Sequence, residues 1–499
     1  MSGKALARLL GFGTAAAMAL TQSSVGFVRD EGYYFAAAQS YEAWLRLLWQ
    51  APLQALAQTE RYWSYNFEHP GLIKLLFALS HLCFSSSVGD TLAWRLPAFA
   101  FAGLISYWLC LLGQSRSRAA GVLAPLLFWC AERTFFHGHL ACFDIPICAM
   151  TAGVAVAWLR GGGPWLAFLY GLALSTKHNA WFLPPVLLVH ALLLAREQRI
   201  AKLRLLPWLL LSPLVLLATW PLLWHDPLRH LGDWIAFHTH HVHYAWYYFG
   251  EVLRGPPFPL FYPLVLDALV LPLPIAALLS AAGVKLLVDF ARRRLDAQRL
   301  LELGLAGAAV LPFMLRTTPI FGGIKHWMAF LALLSPEAAD LVVRIAPSPS
   351  LGALAALLPG LWQIAHVHPY GTSAYGELAG GIPGAASLGM QRQYWSNNVT
   401  AVLPWLNAHC PPGARVYFHE VNVESYRAYQ LAGMLRGDLR YAPSPTNSDY
   451  AVLQWHREFR DREPETWNAY GTRRPAFGLY LDETPQVIVY ARPGFPGAP

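Results

Sequence analysis

Leu205–Trp224 (LLPWLLLSPLVLLATWPLLW) runs for twenty residues without a charge, and a helix needs about 20 apolar residues to cross a hydrocarbon layer of roughly 30 Å. Comparable runs recur at Ala5–Val28, Thr91–Gln114, Ala119–Arg133, Phe143–Leu159, Pro164–Ser175, Trp181–Ala195, Pro259–Val284, Leu301–Leu315, Lys325–Val343 and Leu351–His366. The length rule therefore predicts about eleven membrane crossings. The pattern changes from Val367, where Tyr, Trp, Pro, Arg and Asn become frequent. Strand-like runs occur at Arg415–His419, Asp449–Trp455 and Gln486–Tyr490, with helix-like stretches at Gln391–Asn407 and Val423–Leu435. The expected architecture is a mainly α polytopic membrane domain over residues 1–366, with outer loops 29–90 and 225–258. A small α/β domain of about 130 residues follows over 367–499.

Composition supports lipid as the solvent. Hydrophobic residues make up 55% of the chain and charged residues 13%, against roughly 25% charged in soluble domains. An ordinary soluble enzyme is excluded. The net charge of +8, from 37 Lys+Arg against 29 Asp+Glu, does not point to nucleic acid, because the cations lie in short clusters between apolar runs. Cytoplasmic loops keep an excess of Lys and Arg. If the spans alternate, Lys4, Arg8, Arg116, Arg118, Arg160, Arg196–Arg204, Lys285, Arg292–Arg294 and Arg344 share that side. The segments 29–90, 132–142, 177–180, 225–258 and 317–324 and the tail then lie on the opposite, extracytoplasmic face. Lys4 and Arg8 before LLGFGTAAAMAL also fit a signal peptide, and either reading leaves Asp30 outside. The six cysteines form no disulfide framework by count or spacing.

Charge near a bilayer is costly and persists mainly where it faces a protein cavity or does chemistry. Asp30 and Glu31, directly after the first span, can supply a base for a hydroxyl nucleophile or ligate a divalent cation; a solvated loop start is the plainer account. Glu68 and His69, in Asn66-Phe-Glu-His-Pro-Gly, either cap the helix that follows or point into a site. Asp144, in Phe-Asp-Ile-Pro, reads equally as a helix cap or a site carboxylate. Lys177-His-Asn and Gly322-Gly-Ile-Lys325-His326 suit phosphate binding, while snorkelling explains a lone lysine as well. The run His238-Thr-His240-His241-Val-His243 lacks zinc-site spacing and reads as an interfacial segment held by its aromatic neighbours. Asn398-Val-Thr matches a glycosylation sequon, a pattern short enough to arise by chance.

The order of these motifs resembles the family 39 type membrane glycosyltransferases of the GT-C fold, which include protein O-mannosyltransferases and lipid A aminoarabinose transferases. The likeness covers about the first 345 residues, and His368-Pro-Tyr-Gly-Thr-Ser-Ala-Tyr-Gly-Glu is similar to the start of the outer domain in bacterial members. The resemblance implies a polyprenyl-phosphate sugar donor and an acceptor hydroxyl outside the cytoplasm, whether on protein, lipid or glycan. It implies Asp30 as the general base, or the carboxylate beside the acceptor hydroxyl, with Glu31 next to it, and Glu68 and Asp144 as further catalytic carboxylates. The sequence departs from the family at Gly71, where a second proline is usual, and at His69, where some members carry lysine.

The chemistry asks for the same residue types. A carboxylate accepts the acceptor's proton, and fixed cations hold the departing lipid phosphate, for which Lys177, Lys325, His326 and His69 are the candidates. A single displacement inverts the anomeric carbon. No glycine-rich βαβ nucleotide site is recognised, which favours a lipid-linked donor. No cofactor is assigned and a divalent cation is left open. The alternative is a transporter or flippase for a lipid-linked or organic anion, although transporters usually gather charges near the midplane in two related halves. The expected location is a bacterial inner membrane, with residues 367–499 in the periplasm.

Overall fold

The computed structural model describes residues 2–499, and its apolar runs are mostly helical. Helix Gly3–Thr21 packs antiparallel to Asp90–Gln114: Thr14 and Ser106 meet at 2.7 Å, and Gln114 Nε2 donates to Gly3 O at 2.9 Å. Helix Asp144–Arg160 is buried at every position from Asp144 to Trp158. A helix apolar all round belongs in the middle of a bundle, and it lies among Asp90–Gln114, Gly163–Leu174 and Met328–Ile345.

Proline decides where apolar runs fail to become single helices, because it removes an N–H and clashes with the preceding turn. Leu205–Trp224, the cleanest predicted span, is broken into 3-10 turns at Leu206–Leu211 and Pro221–Trp224 around an α-helix at Ser212–Thr219. Pro259–Val284 divides at Leu271–Pro272 into helices Tyr262–Val270 and Leu273–Ala291. The exposed backbone of that break is satisfied by later residues: Gly376 N–H donates to Leu269 O at 2.8 Å, and Glu377 accepts from Leu273 N–H at 2.7 Å.

Helix Gly71–Val88 is long and apolar enough to cross a membrane by length and composition. It packs along helix Asp90–Gln114 and helix Arg29–Gln50. Gly71 abuts Trp63 and Trp220, and His81 bridges Glu42 at 2.9 Å and Asp90 at 3.2 Å. Asp90 opens the helix whose Arg95 pairs with Glu31. His81, midway along Gly71–Val88, thus ties it both to helix Arg29–Gln50 and to the start of helix Asp90–Gln114.

The chain forms two sheets. Strands β1 (Trp246–Tyr248) and β2 (Glu251–Leu253) make a hairpin in the loop 225–258. Strands β3 (Arg415–Phe418), β4 (Arg440–Ala442), β5 (Tyr450–Gln454), β6 (Phe477–Leu481) and β7 (Thr484–Ala491) form a mixed sheet in the order β4-β3-β5-β7-β6. The three strand-like runs became β3, β5 and β7, whereas β4 and β6 were not anticipated. The helix-like stretch Gln391–Asn407 does not form as one helix. Trp395 and Ser396 both take left-handed backbone (φ 65° and 58°), so regular turns begin only at Asn397. Asn398 is fully buried and donates to Ser373 Oγ at 2.9 Å, which removes the sequon from solvent.

The cationic loops gather at the bundle end opposite this sheet. There Arg116 binds Glu302 and lies 3.1 Å from Glu337, which also takes Lys285 at 2.9 Å and Arg299 at 2.8 Å. Breaking a buried ion pair costs about 3–5 kcal/mol, against about 0–1 kcal/mol for an exposed pair. Arg116→Ala is expected to lower unfolding stability by about 3–5 kcal/mol. Arg46→Ala, which breaks an exposed pair with Glu42, is expected to change little. Thermal denaturation of the detergent-solubilised protein separates the two, and equal effects would refute this ranking.

Candidate active site

Asp30 and Glu31 are adjacent in the first turn of helix Arg29–Gln50, so the helical twist sends them to different faces. Glu31 is fully buried; Arg95 grips both its oxygens at 2.9 Å, and the backbone N–H groups of Val28 and Ala141 donate to it. The pair therefore cannot close on one cation. Asp30 turns instead toward Lys325, whose Nζ lies 3.4 Å from Asp30 Oδ2, with the Asp30 side chain 26% exposed.

Lys325 reaches this point because Gly322 and Gly323 are both left-handed (φ 71° and 61°). A side chain on Gly322 would strike the lysine's own stem, and one on Gly323 would lie 2.7 Å from the Tyr394 ring. The ammonium sits 4.0 Å above the Trp395 ring. Trp395 also anchors the neighbouring carboxylate, since its carbonyl accepts from Arg29 N–H at 3.0 Å.

Asp144 stands in the first turn of its helix, where the cap position belongs to Phe143 and no side chain caps it. Its buried carboxylate accepts from Lys177 Nζ at 2.7 Å, and His137 Nδ1 lies 3.8 Å away. His137 in turn meets Tyr394 Oη at 3.2 Å. Two carboxylates and two lysines thus converge from four separate segments.

The loop carrying Glu68 and His69 borders this group. Glu68 accepts from Asn66 Nδ2 at 2.5 Å, so it caps no helix. His69 stacks on Phe143 with ring centres 4.6 Å apart, and its Nε2 lies 3.4 Å from Tyr34 Oη. Lys74 secures the loop by donating to Asn66 O at 2.5 Å and His69 O at 2.9 Å. Gly71 has a packing reason: a Cβ there would lie 2.7 Å from Thr219 O. His326 stacks on Phe313 with its Nε2 buried and unpartnered, and its carbonyl accepts from Asn179.

The histidine run disperses. His238 packs on His178 with centres 3.8 Å apart and meets Glu68 O at 2.8 Å; His241 stacks on Phe321, and His243 faces Phe258. Among the described residues no three His, Cys, Asp or Glu side chains gather as metal ligands.

Sequence reasoning missed Tyr34, His137, Tyr394 and Trp395. Tyr34 was accessible, being one helical turn after Asp30 on the same face. Trp395 was not, because its place depends on a left-handed backbone in a remote segment.

Comparison with solved structures gives the fold. The chain is similar to ArnT from Cupriavidus metallidurans in the apo state, at 14% identity and a TM-score of 0.55, covering 96% of this chain and 97% of that one. It is likewise similar to the ArnT structure bound to undecaprenyl phosphate, at 14% identity, a TM-score of 0.52 and the same coverage. The chain has the GT-C fold and is a multi-pass membrane protein. No protein-family model and no curated protein sequence matches it.

Burial holds the His238 imidazole down at about 4 and that of His137 at about 3, below the ordinary 6.5. The unfolded chain therefore binds more protons than the folded one between about pH 6.5 and pH 4. Stability present above that window is lost as pH falls through it. The thermal midpoint is expected to drop across this range, and His238→Gln is expected to shallow the drop. A midpoint indifferent to pH would contradict it.

Proposed function

We propose that this chain is a membrane glycosyltransferase that moves a sugar from a polyprenyl-phosphate donor to an acceptor hydroxyl on the extracytoplasmic face, with inversion. The observation that carries this reading is the convergence of Asp30, Asp144, Lys177 and Lys325 at one end of a GT-C bundle. Undecaprenyl phosphate bound to ArnT, which shares the fold, supports a lipid phosphate as the sugar carrier.

In this reading the acceptor oxygen attacks the anomeric carbon, and its proton passes to Asp30. The bond from that carbon to the phosphate oxygen breaks, and its electron pair leaves on the lipid phosphate. Asp30 suits the base because it is partly open and holds one cation at 3.4 Å, longer than the 2.7 Å pair of Asp144 and Lys177. Asp144 is the positioning carboxylate for Lys177. Lys177 and Lys325 neutralise the departing phosphate, with His69 and His326 as further donors on its rim. Glu68 orders the rim loop, and Glu31 orients the helix that presents Asp30.

The reading includes a bacterial inner membrane with residues 367–499 in the periplasm, and the cationic loops at the opposite end support that sidedness. The charged groups gather at one end of the bundle, which favours catalysis over transport through a midplane site.

Donor profiling with a panel of polyprenyl-phosphate sugars tests the activity. Asp30→Asn is expected to reduce transfer about 10²–10⁴-fold while the thermal midpoint stays unchanged. Undiminished transfer by that variant would remove Asp30 as the base. Flux of the lipid-linked sugar across vesicles without covalent product would replace the reading with transport.

A further inference from the structure

A second feature lies at the far end of the bundle and is independent of the glycosyltransferase reading. Helices Leu183–Leu193, Leu273–Ala291 and Ala297–Val310 enclose an apolar cavity of about 400 Å³, lined by Val186, Val189, Leu193, Leu287, Phe290 and Gly304. That volume falls within the roughly 300–1,000 Å³ of ligand pockets. Gly304 keeps it open, since a Cβ there would already touch Val186 Cγ1 at 3.1 Å. Val189 (54%), Leu193 (54%) and Leu287 (58%) are exposed, so the groove opens sideways where the surrounding solvent is acyl chain.

The groove ends under a cationic rim. Leu193 is followed by Arg196 and Arg199, and Phe290 by Arg292, Arg293 and Arg294, all exposed. Arg199 donates to Leu194 O at 3.1 Å, which holds its guanidinium at the end of the lining helix. His190 meets Ala297 O at 2.7 Å and fixes the two turns side by side. The neighbouring carboxylates Asp289 and Asp296 are engaged by Lys285 and Arg299, leaving Glu197 as the local acid. Five arginines that have no carboxylate partner among the described residues, above an apolar groove, match one molecule in two parts.

We infer that this groove is a binding site for an anionic phospholipid, with one acyl chain between the helices and the phosphate on the arginine rim. The test uses the purified full chain, titrated with phosphatidylglycerol, phosphatidylcholine or glycerol 3-phosphate and followed by native mass spectrometry. Phosphatidylglycerol is expected to be retained as a one-to-one adduct, with phosphatidylcholine and glycerol 3-phosphate lost. Arg292→Ala, Arg293→Ala and Arg294→Ala are each expected to weaken retention about fivefold. Gly304→Leu should abolish it by filling the groove. Should that variant fail to fold, Val189→Phe, on the open side, fills the same space. Equal retention of phosphatidylcholine, binding of glycerol 3-phosphate as strong as that of the lipid, or undiminished retention in the filled variants would each overturn the inference.

Discussion

The ion pair between Glu31 and Arg95 sets the geometry from which the rest of the candidate-site end follows. Both side chains are fully buried, and Arg95 also donates to Val25 O and Gly26 O at 2.9 Å. With Ala141 N–H on the same carboxylate, one pair joins the end of the first helix, the start of helix Arg29–Gln50, helix Asp90–Gln114 and the loop before Asp144. Two desolvated charges stand only when every lone pair and N–H is satisfied. Here nearly all are, so the helix start is fixed in rotation. A carboxylate fixed on one face of a helix determines where its neighbour points, and Asp30 is thereby aimed at Lys325.

The sequence made the ingredients of this arrangement legible but not their division of labour. Charges next to apolar runs are readable because lipid makes them costly, and Asp30, Asp144, Lys177 and Lys325 were found on that ground. Adjacency suggested that Asp30 and Glu31 act as a pair. Helical geometry gives them opposite tasks, and the partner that claims Glu31 lies 64 residues away. Apolar length was readable too: Arg196–Thr219 and Leu273–Ala291, long and apolar enough to cross a membrane, overlap two predicted spans with shifted bounds, whereas Gly71–Val88, also long and apolar enough, falls in the predicted outer loop 29–90. The strands β4 and β6 lacked a strong alternating signal, and their pairing comes from β3 and β7, which no local pattern announces.

The C-terminal residues are part of the candidate site rather than an appendage to it. Asn422 donates to Arg29 O at 3.0 Å, Tyr429 Oη to Phe27 O at 2.8 Å, and Glu420 pairs with Arg29 at 3.2 Å. The two left-handed residues Trp395 and Ser396 are an outlier of the kind that persists only where the surroundings over-determine the backbone. The surroundings do so here: Ser396 Oγ donates to Glu420 O, and Trp395 carries Lys325 on its ring. The indole face attracts an ammonium without neutralising it, so Lys325 is held in place while its charge stays available to an anion.

Both ends of the bundle bury charge, and they pair it differently. At the far end Glu337 accepts three cations and Asp340 takes Arg299 and Arg344, so positive and negative groups are matched at short range. Such a network locks helices, and its buried charges, unlike the exposed arginines beyond it, are spent on one another. At the candidate-site end Lys325 has one loose carboxylate contact, and the His69, His178 and His326 rings each keep a buried nitrogen without a partner among the described residues. A buried polar atom left without a partner is costly, whichever tautomer the ring takes. These rings adjoin the candidate site, since His178 follows Lys177, His326 follows Lys325 and His69 stacks on Phe143, so the site carries polar ring atoms that the fold itself leaves unengaged.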